Sequence, residues 1–492
     1  MSRNLVANYT SRIWSGVATF IFLPAYIRLL GQESFGLITF ATTVLGVVFV
    51  LDMGLSSAFA RETARGGSPD DRAALLRSLE WVYGTVCGLG IIIGLALAVP
   101  LAETWLNPAT LSSQRVAICL AMMIPAAFLQ LWMALYLGGL LGAERHVLAA
   151  QFQIGFSAVR SGLVLVPLYF VPEVELVFAW QLVVSLIALW WLRRTAWRPI
   201  AFTRQPRFSQ AELNKIRGFA GGMFLIAIIA AVNTQSDKLV VSKLFSLEEL
   251  GTYTLASLMG QIPSLISLPI AVTILPRLTR FAASESQDAL SELFLVYSLA
   301  IGALSILSGL TIFLAAEALL ELVVGQPVSG EVVAVCKILA VGGVFLAAQY
   351  MPYHLALAYG HTRTNVVTGL IAAVLVPAAM VWGSLQFGLL GAAIPWLAMN
   401  IIATVILAMS IIPRFLGPRL LHWAALALLL PGCVSVATLL PAQYFFSSYD
   451  GAFTRLFKIL PFVLLASTAH LVIFRRMTKS HAATEVRNGT IT

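Results

Sequence analysis

The chain has 492 residues, of which 59% are hydrophobic and only 11% charged, and its net charge is +9. A soluble domain carries about 25% charged residues, so a chain this long and apolar, with no hydrophilic block, reads as a polytopic membrane protein and not as a soluble enzyme or a nucleic-acid binder. The positive balance is read as Arg and Lys held in cytoplasmic loops.

A membrane span needs about 20 mostly apolar residues. Fourteen stretches qualify: residues 5–30, 36–59, 79–101, 116–141, 147–171, 174–192, 218–243, 251–275, 290–315, 332–357, 364–386, 389–412, 421–441 and 455–474. The expected fold is therefore all-α and integral to the membrane, with two six-helix bundles and two extra C-terminal helices. The first stretch is long, carries Arg12 and lacks a small-residue cleavage site, so no cleavable leader is expected.

Loop charges support an even number of spans. With the N-terminus cytoplasmic, 22 of the 31 Arg and Lys residues fall on inside segments and 7 on outside ones. Both termini are then cytoplasmic.

The longest polar segment, residues 193–217, divides the chain into an N-terminal bundle (1–192) and a C-terminal bundle (218–412), with 413–492 holding the last two helices and a tail. Ser209 and Glu212 form a Ser-x-x-Glu capping box, flanked by Phe208 and Leu213. Such a box predicts a helix starting near Gln210 as a short cytoplasmic amphipathic turn.

The second half echoes the first. The run Glu33-Ser34-Phe35-Gly36-Leu37 aligns with Glu248-Glu249-Leu250-Gly251-Thr252 at an offset of 215 residues. Six spans per half return the chain to the same side, which predicts parallel repeats.

The candidate functional residues are the polar groups placed where the bilayer makes them costly. Asn8, Arg12, Ser15 and Thr19 follow at spacings of four, three and four, so they share one face of the first helix. An Arg near a helix centre costs about 2.5–3.5 kcal/mol on insertion scales and faces a partner or water. Arg12, Arg160, Arg61 and Arg277 are therefore candidates to line a polar cavity, joined by Asn233 and Gln261 on the seventh and eighth spans. Arginine's planar fork suits phosphate, so such a cavity fits an anionic, phosphate-bearing substrate. Asp52 and Asp237 are candidate ion-coupling groups.

Each has a plainer reading. Arg12 can snorkel to the cytoplasmic headgroups. Arg160 can bond a polar residue on a neighbouring helix. Asp52 can cap a helix or pair with Arg61. Pro24, Pro263 and Pro269 mark bending points or static kinks.

The four cysteines lie in apolar runs without paired spacing, which argues against a disulfide frame, and no metal site or cofactor is expected. No Walker A, His-Glu-x-x-His or Gly-x-Ser-x-Gly sequence occurs. The outer loops are short, which argues against a membrane glycosyltransferase or polysaccharide polymerase.

The run from Pro24 to Leu30-Gly31, then Phe35-Gly36, Asp52-Met53-Gly54 and Arg61, resembles the Wzx-type polysaccharide-biosynthesis flippases of the multidrug/oligosaccharidyl-lipid/polysaccharide exporter superfamily. Asp237 to Leu244, followed by Leu250-Gly251-Thr252-Tyr253, is similar to the same family's second half. The resemblance implies a bacterial inner-membrane protein. It implies transfer of a polyprenyl-pyrophosphate-linked glycan, an O-antigen, exopolysaccharide or capsule repeat unit, to the outer leaflet. A polysaccharide polymerase and chain-length machinery are the implied partners. Arg12, Arg61 and Arg277 occupy places comparable to the arginines with which related flippases meet the pyrophosphate. The competing expectations are a cation-coupled multidrug antiporter, in which Asp52 and Asp237 are essential, and a membrane glycosyltransferase or polysaccharide polymerase.

Overall fold

The computed structural model describes residues 22–66, 68–198, 200, 202–203, 205–284, 287–445 and 451–487, with backbone alone for 478–487. Every regular element among them is helical. Thirteen stretches are long and apolar enough to cross a membrane, and each overlaps one of the predicted spans from the second onward. The greater part of the first predicted span, with Asn8, Arg12, Ser15 and Thr19, lies outside the described residues.

The chain divides into two compact units between residues 252 and 253. The first unit holds α1 (residues 22–30), α2 (Gln32–Val48), α3 (Leu55–Ala64), α4 (Pro69–Pro100), α5 (Ser113–Gly142), α6 (His146–Ser157), α7 (Leu165–Phe170), α8 (Val174–Trp197), α9 (Gln210–Leu244) and the start of α10 (Leu247–Gly260). At its centre stands α5, packed on by α2, α3, α4 and α8. Its small residues explain the fit. A side chain at Gly138 would meet the Ser56 carbonyl at 2.5 Å, and one at Gly142 would collide with the Ala60 backbone. Lipid tails are as apolar as Leu, so helices in a bilayer hold together by close packing of this kind.

Several predicted spans are interrupted. The connection between α1 and α2 is Gly31 alone, at φ 82°, and α2 begins at Gln32, four residues before the predicted second span. That span then breaks after Asp52, where Met53 (φ 49°) and Gly54 (φ 70°) are left-handed, before α3 resumes. The fifth span passes through a π-helical stretch, Ala158–Leu163, just before Pro167. A proline lacks the donor that an α-helical turn needs, which accounts for widened turns of this sort. Conversely, α4 starts ten residues before the predicted span, because Ser68 caps it by accepting the Asp71 N–H at 3.1 Å.

The helix start predicted near Gln210 is observed, with one of the two bonds of the capping box. Ser209 caps α9 by accepting the Glu212 N–H at 3.4 Å. The preceding segment is pinned to α4, with Ser209 N–H donating to Ser78 Oγ at 2.8 Å and Thr203 N–H to Asp70 at 2.7 Å. From Gln210 the helix runs for 35 residues without a break.

α9 packs against α2, α3 and α4. Along α2 the contact is made by glycine: Gly46 abuts Gln235 and, past the break, Gly54 abuts Met223. At the far end Gly36 lies directly on the Leu247 backbone. Gly251 reciprocates, since a Cβ there would stand 3.1 Å from both the Gln32 carbonyl and the Gly36 nitrogen. The two glycines aligned by the sequence repeat thus meet each other.

In the second unit the chain continues through α11 (Ile262–Ala283), α12 (Gln287–Val324), α13 (Gly330–Ala348), α14 (Tyr350–Ala358), α15 (Arg363–Phe387), α16 (Leu390–Leu416), α17 (Leu420–Ala424), α18 (Leu430–Leu439) and α19 (Ala452–Arg487). Its spine is the 38-residue α12, flanked by α11, α13, α18 and α19. The predicted eighth span is broken at Gln261, where Pro263 starts a new helix. Gln349 on the α13–α14 junction donates to Asn400 Oδ1 at 3.2 Å, and Thr404 donates to the Phe345 carbonyl at 2.9 Å, tying that junction to α16.

The glycine contact yields a prediction. Gly36→Leu places a branched side chain into the Leu247 backbone, and overpacking costs roughly 1–3 kcal/mol. The melting temperature in detergent should fall clearly. Gly222→Ala, which has no neighbour within 4 Å of the added atom, should leave it unchanged or slightly raised.

Candidate functional site

The described candidates of the first unit fall in two places. Asp52 and Arg61 stand beside the start of α9. Arg160 stands between α5 and the segment that anchors α1.

Asp52 ends the 3₁₀ turn that follows α2 and is 9% exposed. Its carboxylate accepts from the Ser56 hydroxyl at 2.8 Å and from the Ser56 N–H at 3.4 Å, and also from the Tyr83 hydroxyl. It holds the left-handed Met53-Gly54 turn to the first turn of α3. The expected alternative pairing with Arg61 is not found: Arg61, nine residues on, is exposed and stacks 4.7 Å above the Phe219 ring of α9. No carboxylate lies within ion-pair distance of Arg61 among the described residues. Its donors are open to an anion.

Arg160 lies on the π-helical stretch of the fifth span. Its guanidinium donates to Gln130 Oε1 on α5 at 2.7 Å and sits 5.7 Å from the Phe156 ring centroid. Its Nε is buried without a partner among the described residues. The neighbouring residues anchor α1: Tyr26 donates to the Ser161 carbonyl at 2.8 Å, and a side chain at Gly162 would meet Phe22 at 2.6 Å. Arg160 therefore makes the interhelical bond that was its plainer reading, with its buried Nε donor still to be used.

Asn233 and Asp237 lie one turn apart on α9, both half-buried. Asn233 donates back to the Ile229 carbonyl at 2.9 Å. In the second unit, Gln261 occupies the break between α10 and α11 and donates to Ser257 Oγ at 2.9 Å, while Arg277 is exposed near the end of α11.

Among the described residues the fully buried charged side chains are Glu33, Asp52 and Glu80, all acidic. Each is saturated locally. The Glu33 carboxylate accepts the N–H groups of Ala109 (2.6 Å) and Thr110 (2.9 Å) and the Thr110 hydroxyl. The same loop reaches α9's end: Asn107 donates to the Lys243 carbonyl at 3.0 Å and Trp105 to Ser242 Oγ at 3.1 Å.

Glu80, which was not a candidate, is the most heavily bonded of the three. It accepts from Tyr136 (2.7 Å), Trp197 (2.8 Å), Arg193 (2.8 Å) and Arg77 (3.0 Å). Only Arg77, one turn away, was near enough in sequence to signal it. Among the described residues no cluster of His, Cys, Asp and Glu suited to a metal ion occurs.

Comparison with known proteins adds the following. A family model described as "Polysaccharide biosynthesis protein" matches residues 1–282. No curated protein matches the sequence. Among solved structures, the lipid II flippase MurJ in an inward closed conformation superposes with a TM-score of 0.75 at 14% identity, covering 97% of this chain and all of that one. An inward-facing MATE-family multidrug resistance transporter of the MOP superfamily gives 0.65 at 14% identity, covering 83% of this chain and 95% of its own. The MATE multidrug transporter DinF-BH gives 0.58 at 14%, covering 84% and 94%. The fold is that of these transporters.

The Arg160 contact is testable alone. Gln130→Leu strips the guanidinium of its hydrogen-bonded partner, and an unpaired buried polar group costs about 1–3 kcal/mol. The melting temperature should drop, and the double variant Gln130→Leu/Arg160→Leu should recover most of the loss.

Proposed function

This chain belongs to the polysaccharide biosynthesis protein family, and from that membership we propose that it is a flippase for a polyprenyl-pyrophosphate-linked oligosaccharide. The cargo in this reading is the repeat unit of an O-antigen, exopolysaccharide or capsule. It passes from the cytoplasmic to the outer leaflet of a bacterial inner membrane by alternating access, and both termini are cytoplasmic. A polysaccharide polymerase and its chain-length machinery then receive the product.

The observation that carries the reading is the end-to-end likeness to a lipid II flippase, 97% of one chain on 100% of the other. The MATE likenesses leave more of this chain uncovered.

The chemistry is that of charge compensation. A pyrophosphate entering a low-dielectric path needs fixed cations, and Arg meets it with paired donors. Arg12, Arg61 and Arg277 serve that role, with Arg160 as a further donor and Asn8, Asn233 and Gln261 lining the sugar path. Arg61 fits it in one concrete respect, since its guanidinium is oriented by an aromatic ring and not consumed by a carboxylate.

Cation-coupled multidrug antiport is the second reading, favoured by the MATE likenesses and by the buried acids. In either reading Asp52 and Asp237 are the coupling candidates. The saturated bonding of Asp52 to Ser56 and Tyr83 supports a structural part for it as well. The related folds are transporters, which fits a protein that is not an enzyme.

Deletion followed by leaflet-resolved assay of lipid-linked glycan decides between the readings. We expect glycan to accumulate on the cytoplasmic leaflet, and Arg12→Ala, Arg61→Ala or Arg277→Ala to abolish surface glycan while the protein still reaches the membrane. Normal surface glycan in the deletion strain, together with lost efflux of a cationic dye, would establish the antiporter instead.

A further inference from the structure

Between α4, α5 and α8 a groove of about 570 Å³ opens within the first unit. It lies apart from Asp52, Arg61 and Arg160, and no candidate residue lines it. Its walls are apolar and aromatic: Trp81, Trp190 and Leu186 are 59%, 58% and 51% exposed. A half-buried Trp132 lies behind Gly84, where the missing side chain keeps the groove open; an added Cβ would meet the indole at 3.3 Å.

The rim is charged and built. Glu80, 6% exposed, holds Arg77 at 3.0 Å and Arg193 at 2.8 Å. Both guanidiniums remain partly exposed, at 40% and 50%, and each uses only part of its five donors on the carboxylate. Two cations against one anion leave the rim positive, and the adjacent Arg194, stacked 4.7 Å over the Trp190 ring, adds to it. Loop charge assigns this end of the helices to the cytoplasm. The Trp132 indole N–H is buried without a hydrogen-bond partner among the described residues, a donor facing no protein acceptor.

A positive rim above an aromatic, lipid-exposed groove at headgroup depth matches one class of ligand. Basic pockets between transmembrane helices on the cytoplasmic side recognise anionic headgroups, and tryptophans sit at that depth. We propose that this groove binds an anionic glycerophospholipid of the cytoplasmic leaflet, with its phosphate on Arg77 and Arg193 and one acyl chain along Trp81, Trp190 and Leu186. Glu80 is a positioning residue: it fixes the two guanidiniums at the rim and touches no lipid. The bound lipid then braces α4 against α8.

Native mass spectrometry of the full-length protein in detergent, titrated with phosphatidylglycerol and separately with phosphatidylcholine, tests this. The wild type should hold phosphatidylglycerol roughly 10-fold more tightly, equivalent to about 1.4 kcal/mol. R77Q/R193Q should lose that preference. Because removing both arginines strips Glu80 of its partners, a second variant is needed that leaves the fold alone. Leu186→Trp projects into the groove from a lipid-exposed position and should weaken phosphatidylglycerol binding roughly 10-fold at an unchanged melting temperature.

Equal binding of the two lipids overturns the proposal, as does wild-type phosphatidylglycerol binding by L186W. Complete displacement of the lipid by inorganic phosphate would assign the rim to the free anion. Displacement by a polyprenyl phosphate that phosphatidylglycerol cannot reverse would assign the groove to the transported substrate. Either result also overturns the proposal.

Discussion

Backbone-to-backbone contact at glycine is the constraint on which the first unit depends. In lipid the hydrophobic effect does not draw helices together, so the small residues that let main chains touch decide which helices pair. Gly138 and Gly142 admit α3 to α5 and Gly36 lets the second span lie on the α10 backbone, while Gly46 and Gly54 make room for the Gln235 and Met223 side chains of α9. That path fixes where the polar groups stand. The left-handed turn at Gly54 brings Asp52 under Tyr83 and starts α3 at the angle that sets Arg61 over Phe219.

Charge inside this unit follows one rule. An ion removed from water must be compensated where it sits, because moving it costs several kcal/mol. Glu33 is compensated by main-chain N–H groups, Asp52 by hydroxyls, and Glu80 by two arginines and two aromatic donors. Among the candidate arginines of this unit, Arg61 and the Nε of Arg160 keep donors that no described residue takes. This distinction separates a residue that holds the structure from one available to a phosphate better than burial does.

The spans were legible because bilayer thickness dictates their length, and the start of α9 because Ser209 and Glu212 are three residues apart and act locally. The interruptions were harder to see. Asp52-Met53-Gly54 sits within an apolar run, and nothing local distinguishes a left-handed glycine from a helical one. The pairings of Arg160 with Gln130, 30 residues away, and of Glu80 with Arg193, 113 away, arise only when the fifth span meets α5 and α8 meets α4. Local pattern left Asp52 two fates, a cap or a pair with Arg61; the local bond to Ser56 is present, while a tyrosine 31 residues on takes the other oxygen. The family likeness was carried by short motifs from Pro24 through the second span, in α9 and at the start of α10; glycine contacts bring the second span onto both of these later helices.

α9 has a mechanical consequence. Its 35 residues form a rod about 52 Å long, well beyond the roughly 30 Å of hydrocarbon it crosses. Near one end Ser242 and the Lys243 carbonyl are tied to Trp105 and Asn107; near the other Phe219 lies under Arg61. A rod without a hinge converts rotation into displacement. A tilt of about 5° about one end carries the other through roughly 4–5 Å, given that length. With Ser242 and Lys243 held at Trp105 and Asn107 as the pivot, that tilt moves Phe219, 23 residues or about 35 Å away, by roughly 3 Å beneath the Arg61 guanidinium, with no change in the helix itself.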